Sequence, residues 1–190
     1  MEILIAGLVL FFAVHSISIV AEPWRNRMAA RMGETGWQGL YGLLSLAGFV
    51  LLVWGFGLAR HGANPLYAPP SWGADAALVL MLPVFPLLFA TYMPGHIKAA
   101  VGHPMLLATM LWALAHLLTT GSLADVLLFG AFLVWAAIDR ISMTGRMQRP
   151  LHTVPPGRFN DTVAVIAGLA VYALFLAGLH QWLFGVSPFA

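Results

Sequence analysis

Six apolar stretches, at about 3–21, 38–59, 74–92, 104–119, 123–138 and 162–184, take up most of this 190-residue chain. Each is near the ~20 residues that an α-helix needs to cross the hydrocarbon core of a bilayer. Charged residues are 8% of the sequence, against roughly 25% in soluble domains, so little polar surface remains to face water. The expected fold is all-α: a polytopic membrane bundle of about six transmembrane helices, in a single domain over 1–190, with the lipid bilayer as its main solvent. The fourth and fifth stretches are short, and Thr119-Thr120-Gly121-Ser122 between them reads as the turn of a helical hairpin.

The basic residues give an orientation. Arg25, Arg27 and Arg31, then Lys98, then Arg140, Arg146, Arg149 and Arg158 fall in the first, third and fifth loops, and only Arg60 falls in the others. Cytoplasmic loops hold the excess of Lys and Arg, which puts both termini outside the cytoplasm. The first stretch opens on Glu2 and shows no small-residue cleavage site, so it reads as a retained helix. Trp24, Trp37, Trp72 and Trp182 near span ends fit an interfacial aromatic belt. The pI near 9.4 comes from these loops and is no nucleic-acid footprint. The absence of cysteine excludes disulfides, iron–sulfur clusters, thiolate-bound or covalently attached haem and a cysteine nucleophile.

Small residues mark packing faces: Ala164/Gly168 and Ala173/Ala177 on the last stretch, and Gly42, Ser45 and Gly48 on the second. Pro83 and Pro86 both fall inside the third stretch, and each proline withholds a donor and frees a carbonyl one turn earlier. A packed kink or a cavity wall would accommodate them. The longest polar segment, 140–159, is basic and contains Pro150, Pro155 and Pro156.

Ionisable groups inside apolar spans are costly and are functional candidates by default. His15 precedes Arg25 by ten residues, ~15 Å of helix, and His116 comes thirteen after His103, ~20 Å. Both are expected near mid-membrane. Neutral histidine ligates haem iron, zinc and copper; an apolar pocket suits haem, whereas zinc needs further ligands that no acid or thiol supplies at that depth. The alternative is that each ring only hydrogen-bonds a neighbouring hydroxyl or carbonyl. His103, before Pro104, belongs to the cap of a helix, and His96 sits beside Lys98. His61, His152 and His180 read as loop or helix-end residues. Ser122-Leu123-Ala124-Asp125 reads as a capping box, and Asp139-Arg140 as an interfacial pair.

Gly102-His103-Pro104-Met105-Leu106-Leu107, then Trp112 to Leu118, the Gly130/Trp135 helix, the His15-Ser16 pair and the ending His180 to Pro188 together resemble the NnrU family of bacterial membrane proteins. The resemblance covers nearly the whole chain. It implies a bacterial inner-membrane location and an association with denitrification. It also implies kinship with zeta-carotene isomerase, a membrane enzyme holding haem b between two histidines. On the matching motifs those ligands fall on His15 and His116. Arg25, Arg27, Arg31 or Lys98 would then pair with the haem propionates, with His103 close by, and the reaction would be redox or nitric-oxide-linked chemistry or isomerisation of a hydrophobic small molecule. Gly102 stands where the isomerase has arginine. The His-Pro motif is also similar to isoprenylcysteine carboxyl methyltransferases, but 139–158 lacks their acidic-and-aromatic segment. A non-catalytic role in assembling a membrane complex is the remaining alternative.

Overall fold

The computed structural model describes residues 1–60, 65–146, 149 and 151–189. Regular structure among them is helical: α1 (Glu2–Val20), α2 (Glu22–Met32), α3 (Glu34–Ala59), α4 (Gly73–Met81), α5 (Val84–Tyr92), α6 (His96–Val101), α7 (Pro104–Thr119), α8 (Leu123–Ser142), α9 (Asn160–Leu174), a π-helical turn (Phe175–Leu179) and α10 (His180–Phe184). Four stretches are long and apolar enough to cross a membrane: Glu2–Val20, Glu34–Ala59, Gly73–Tyr92 and Asn160–Phe184. That is fewer than the six expected. Pro104–Thr119 is apolar but only 16 residues long, and α8, at 20 residues, carries Asp125, Asp139 and Arg140.

Two short helices stand where the sequence suggested loops. Neither has a long apolar run, so hydropathy alone passes over them. In α2, Pro23 and Glu22 occupy the first turn and Arg31 the last, an arrangement that suits the helix dipole. Gly33, at φ 75°, ends it. In α6 the first amides are held from α9: His96 N and Ile97 N donate to the two carboxylate oxygens of Asp161, at 2.7 and 3.1 Å.

The chain divides into two compact units, Met1–Leu66 with Ser122–Ala131 and Tyr67–Gly121 with Phe132–Ala190. In the first, α1 and α3 run antiparallel with their backbones nearly touching. Gly7 faces Leu52, Gly48 faces Phe11 and Gly55 faces Leu4. A Cβ at Gly7 would stand 2.5 Å from Leu52 N, one at Gly48 2.9 Å from Phe11 N, and one at Gly55 would overlap the Leu4 backbone. Close backbone approach of this kind builds helix contacts from dispersion, with no need of water-driven burial. Gly48 thus packs as expected, whereas Gly42 is exposed. The capping box forms: Asp125 N donates to Ser122 Oγ at 3.2 Å, and Ser122 N donates to Asp125 Oδ2 at 3.1 Å.

In the second unit the third apolar stretch is broken between α4 and α5. Pro83 cannot donate, and the ladder tightens ahead of it: Leu82 N donates to Val79 O at 3.3 Å. The Leu78 carbonyl accepts instead from the Tyr172 hydroxyl on α9, at 2.8 Å. Gly168 packs directly on Pro86, and Ala164 beside it on α9 is fully buried. The prolines therefore make a packed kink. On its other side Val84 and Leu87 pack on Ala108 of α7, surrounded by Met81, Leu107, Leu111 and Trp112. Ala173 and Ala177, expected to pack, are exposed.

Two further expectations are corrected. Asp139 pairs with Arg146, at 2.5 Å, and Arg140 instead donates to the Val101 carbonyl at 3.0 Å; neighbours on a helix point about 100° apart, so Asp139 and Arg140 serve different partners. Trp37 is 5% exposed, covered by Arg25 and Trp24, so of the four belt tryptophans only Trp24, Trp72 and Trp182 are exposed. Pro150 and His61 lie outside the described residues.

The Gly55→Val variant should lose the α1–α3 contact, at a cost of at least about 1–3 kcal/mol from overpacking. Gly57→Val, where a Cβ meets nothing within 4 Å, should melt like the parent. Thermal unfolding of the detergent-purified proteins measures the difference.

Candidate functional site

His15 lies on α1, half-buried, with five helical residues after it. Its Nδ1 is 2.8 Å from the carbonyl oxygen of Phe11, one turn earlier. Its ring stacks on Phe11 at 4.0 Å with 23° between planes, and Tyr41 of α3 lies 5.4 Å away. Because Gly48 packs on the Phe11 backbone, the turn that holds the ring is itself fixed by the α1–α3 contact.

His116 repeats the arrangement in the second unit. Its Nδ1 is 2.8 Å from the Trp112 carbonyl, again four residues earlier, and its ring lies 5.1 Å from Trp112. It sits in the last turn of α7, so it is near a helix end and not at a helix centre. That end is held with care. The Thr120 and Thr119 hydroxyls donate to His116 O at 2.8 and 3.1 Å. The Tyr67 hydroxyl is placed between Leu117 O and Thr120 O, 2.7 Å from the latter. Gly73 and Gly121 permit the approach, since a Cβ on either would overlap Leu118 O or Tyr67 O.

A carbonyl oxygen has no proton to give, so in both histidines Nδ1 is the donor. In the neutral ring the proton then resides on Nδ1 and the lone pair on Nε2, the nitrogen that can accept or ligate. Backbone carbonyls hold metal-binding histidines in the same tautomer. The sequence located both residues but could not supply this feature.

His180 stands at the start of α10, the helix-end position expected of it, and close to His116. Its ring lies 6.5 Å from that of His116, with planes 31° apart, and its Nδ1 is 2.8 Å from Val186 O. Phe184 and Phe175 flank it at 5.0 and 6.4 Å. The available signal was the polar pair His180-Gln181 inside an apolar stretch, next to Gly178.

The remaining candidates are spread out. Arg25 is engaged by Glu34 at 3.2 Å and lies 5.5 Å over Trp37, while Arg27 and Arg31 are exposed on α2. Lys98 donates to Thr91 O at 2.7 Å. His103 is the N-cap residue of α7, so the length of that helix, ~20 Å, separates it from His116. Lys98 belongs to the same distant end and is not gathered with His116. His96 and His152 are exposed. Among the described residues no group of three or more His, Cys, Asp or Glu is arranged to hold a metal ion.

The Tyr67→Phe variant should destabilise the second unit by about 1 kcal/mol, the usual cost of one lost internal hydrogen bond, and should loosen the turn bearing His116. Thermal unfolding, with hydrogen exchange at Thr120, would register both effects.

A family model described as NnrU protein matches residues 3–188, and the chain belongs to that family. No curated protein and no solved structure matches it.

Proposed function

We propose that this NnrU-family chain is a multi-pass membrane protein that binds haem b through His15 and His116. The observation that carries the proposal is the repeated local geometry: in each residue Nδ1 lies 2.8 Å from the carbonyl four residues earlier, which in the neutral ring puts the lone pair on Nε2. Two neutral nitrogen donors, each beside aromatic rings (Phe11 and Tyr41; Trp112), suit a flat apolar macrocycle. They are too few for a structural zinc site, which takes four ligands.

Haem would supply an iron centre able to exchange electrons or bind a small gas such as nitric oxide. The protein's part is to fix the two rings by their carbonyl contacts and to keep the surroundings apolar. Arg27 and Arg31, exposed on α2 in the unit that carries His15, are the better candidates for the propionates. Arg25 and Lys98 are already engaged. If His15 and His116 both hold the haem, one of them would have to release it before a substrate or gas could bind there. The function is therefore read as redox or nitric-oxide-linked chemistry tied to denitrification, with isomerisation of a hydrophobic substrate as its catalytic form. Methyl transfer gains no support, because Asp139, the acidic residue of the 139–158 segment, is committed to Arg146.

The membrane reading rests on the four long apolar stretches and on outward faces rich in exposed apolar side chains, such as Leu43, Leu46, Val50 and Val53 of α3; contiguous patches of that kind are rare on soluble monomers. We take α7 and α8 as the remaining crossings of a six-span inner-membrane topology, with basic loops in the cytoplasm and both termini outside it.

The detergent-purified protein, grown with ample haem, should show a Soret band and sharp α/β bands on dithionite reduction. Haem content should fall to background in the His15→Ala/His116→Ala double variant; full retention there, or a colourless parent, would defeat the proposal. Topology has its own test in this cysteine-free chain. A thiol at Arg31→Cys should react with an impermeant maleimide only from the cytoplasmic side, and one at Ser187→Cys only from the opposite side.

A further inference from the structure

Two guanidiniums at the end of α8, both in the second unit, bury nitrogen atoms that bond to nothing. Arg140 donates from Nη2 to Val101 O at 3.0 Å, and its Nη1 is buried with no hydrogen-bond partner. Arg146 donates from Nη2 to Asp139 Oδ1 and reaches Met143 Sδ through Nε at 3.4 Å, and its Nη1 is likewise buried and unpartnered. A buried N–H that meets neither water nor an acceptor is costly, and it calls for an explanation such as a bound ion. The charges do not balance either. Asp139 matches Arg146, with side chains only 8% and 11% exposed, and no described carboxylate pairs with Arg140. One partly buried positive charge is left over, and a charge in that position needs a counter-charge.

Helix geometry brings both groups to one side. Val134, Ile138 and Ile141 are exposed along one stripe of α8. At about 100° per residue, Asp139 and Arg140 fall on either flank of the opposite face, which holds the fully buried Ala136. Beyond Ser142 the chain turns, with Thr144 N on Ile141 O and Gly145 N on Ser142 O, and so returns Arg146 to Asp139. Arg140 meets the entrance of α7. The carbonyl it takes, Val101 O, comes just before Gly102, where φ is 77° and a Cβ would meet nothing within 4 Å, and before the N-cap residue His103. No side chain caps α7, so its first amides and the positive end of its dipole lie at the same end as Arg140.

We propose that the inner face at the end of α8, together with the first turn of α7, binds a phosphate oxyanion, with Arg140 and Arg146 each donating from Nη1. A planar carboxylate is filled by the fork of a single guanidinium. Donors from two side chains and a helix start suit a tetrahedral group with several acceptor oxygens. The phosphate can belong to a lipid headgroup or to a soluble phosphate, because in the topology proposed above this end meets the cytoplasm. The site does not rest on the haem reading, since His116 lies at the other end of α7.

Two measurements on the detergent-purified full-length protein test the proposal and separate the sources. Thermal unfolding is followed in sodium phosphate against sodium chloride of equal ionic strength. Native mass spectrometry is recorded after exchange into mixed phosphatidylglycerol and phosphatidylcholine. A saturable rise in unfolding temperature with phosphate would identify a soluble ligand, and retained phosphatidylglycerol a lipid one. Whichever binds, Arg140→Gln should weaken it about ten- to a hundredfold, the effect of losing a charge-assisted hydrogen bond. Arg158→Gln, at an exposed arginine, should bind like the parent. Should Arg140→Gln not accumulate, Arg140→Lys keeps the charge and a donor for Val101 O but has no second nitrogen, and it should show the same loss. Binding of neither probe by the parent would overturn the proposal, as would binding that the Arg140 variants leave at full strength or that Arg158→Gln weakens equally.

Discussion

A backbone carbonyl that loses its amide partner has few places to turn in a chain where only 8% of residues are charged, and an unpaired buried polar group costs on the order of a few kcal/mol. The fold is organised around meeting that demand with side-chain donors. Where Pro83 breaks a helix, Tyr172 reaches Leu78 O. Where α5 ends, Lys98 takes Thr91 O, and where α6 ends, Arg140 takes Val101 O. Where α7 ends, Tyr67, Thr119 and Thr120 share the last carbonyls. Several scarce polar residues thus serve the backbone first, which is why Lys98 is a poor candidate for holding a ligand.

The histidines use the same contact for another purpose. When a tyrosine or lysine donates to a carbonyl, its donor is simply satisfied. When a histidine does so through Nδ1, the other end of the ring is fixed as an acceptor. His15, His116 and His180 all make this contact, each at 2.8 Å. One hydrogen bond therefore both satisfies a polar group in an apolar setting and sets the tautomer required for ligation, linking packing to the proposed chemistry.

Most helix positions were legible because apolar runs are long. The 104–119 helix has the bounds expected of it, and the Ser122/Asp125 box forms as its spacing implied. Structure without a long apolar run escaped hydropathy: α6 depends on Asp161, more than sixty residues later in the chain, and α2 is only 11 residues long and interrupts its apolar residues with Glu22, Arg25, Asn26, Arg27 and Arg31. Four of the six expected spans are long and apolar enough by themselves among the described residues; α7 is shorter and α8 carries three charged residues, neither of which is visible in a count of apolar stretches. At the candidate site, His15 and His116 could be chosen from the sequence, but ring orientation could not. His180 stands at a helix end as expected, but its nearness to His116 follows a π turn, which has no periodic signature in the sequence.

The tautomer of these rings is the point on which ligation turns, and nitrogen-15 magnetic resonance of the haem-depleted, histidine-labelled protein reads it. With resonances assigned by His→Gln variants, His15 and His116 should each show a protonated Nδ1 and an unprotonated Nε2. A proton found on Nε2 of either residue would contradict the proposed ligation, because that nitrogen could not then be the one held ready for iron.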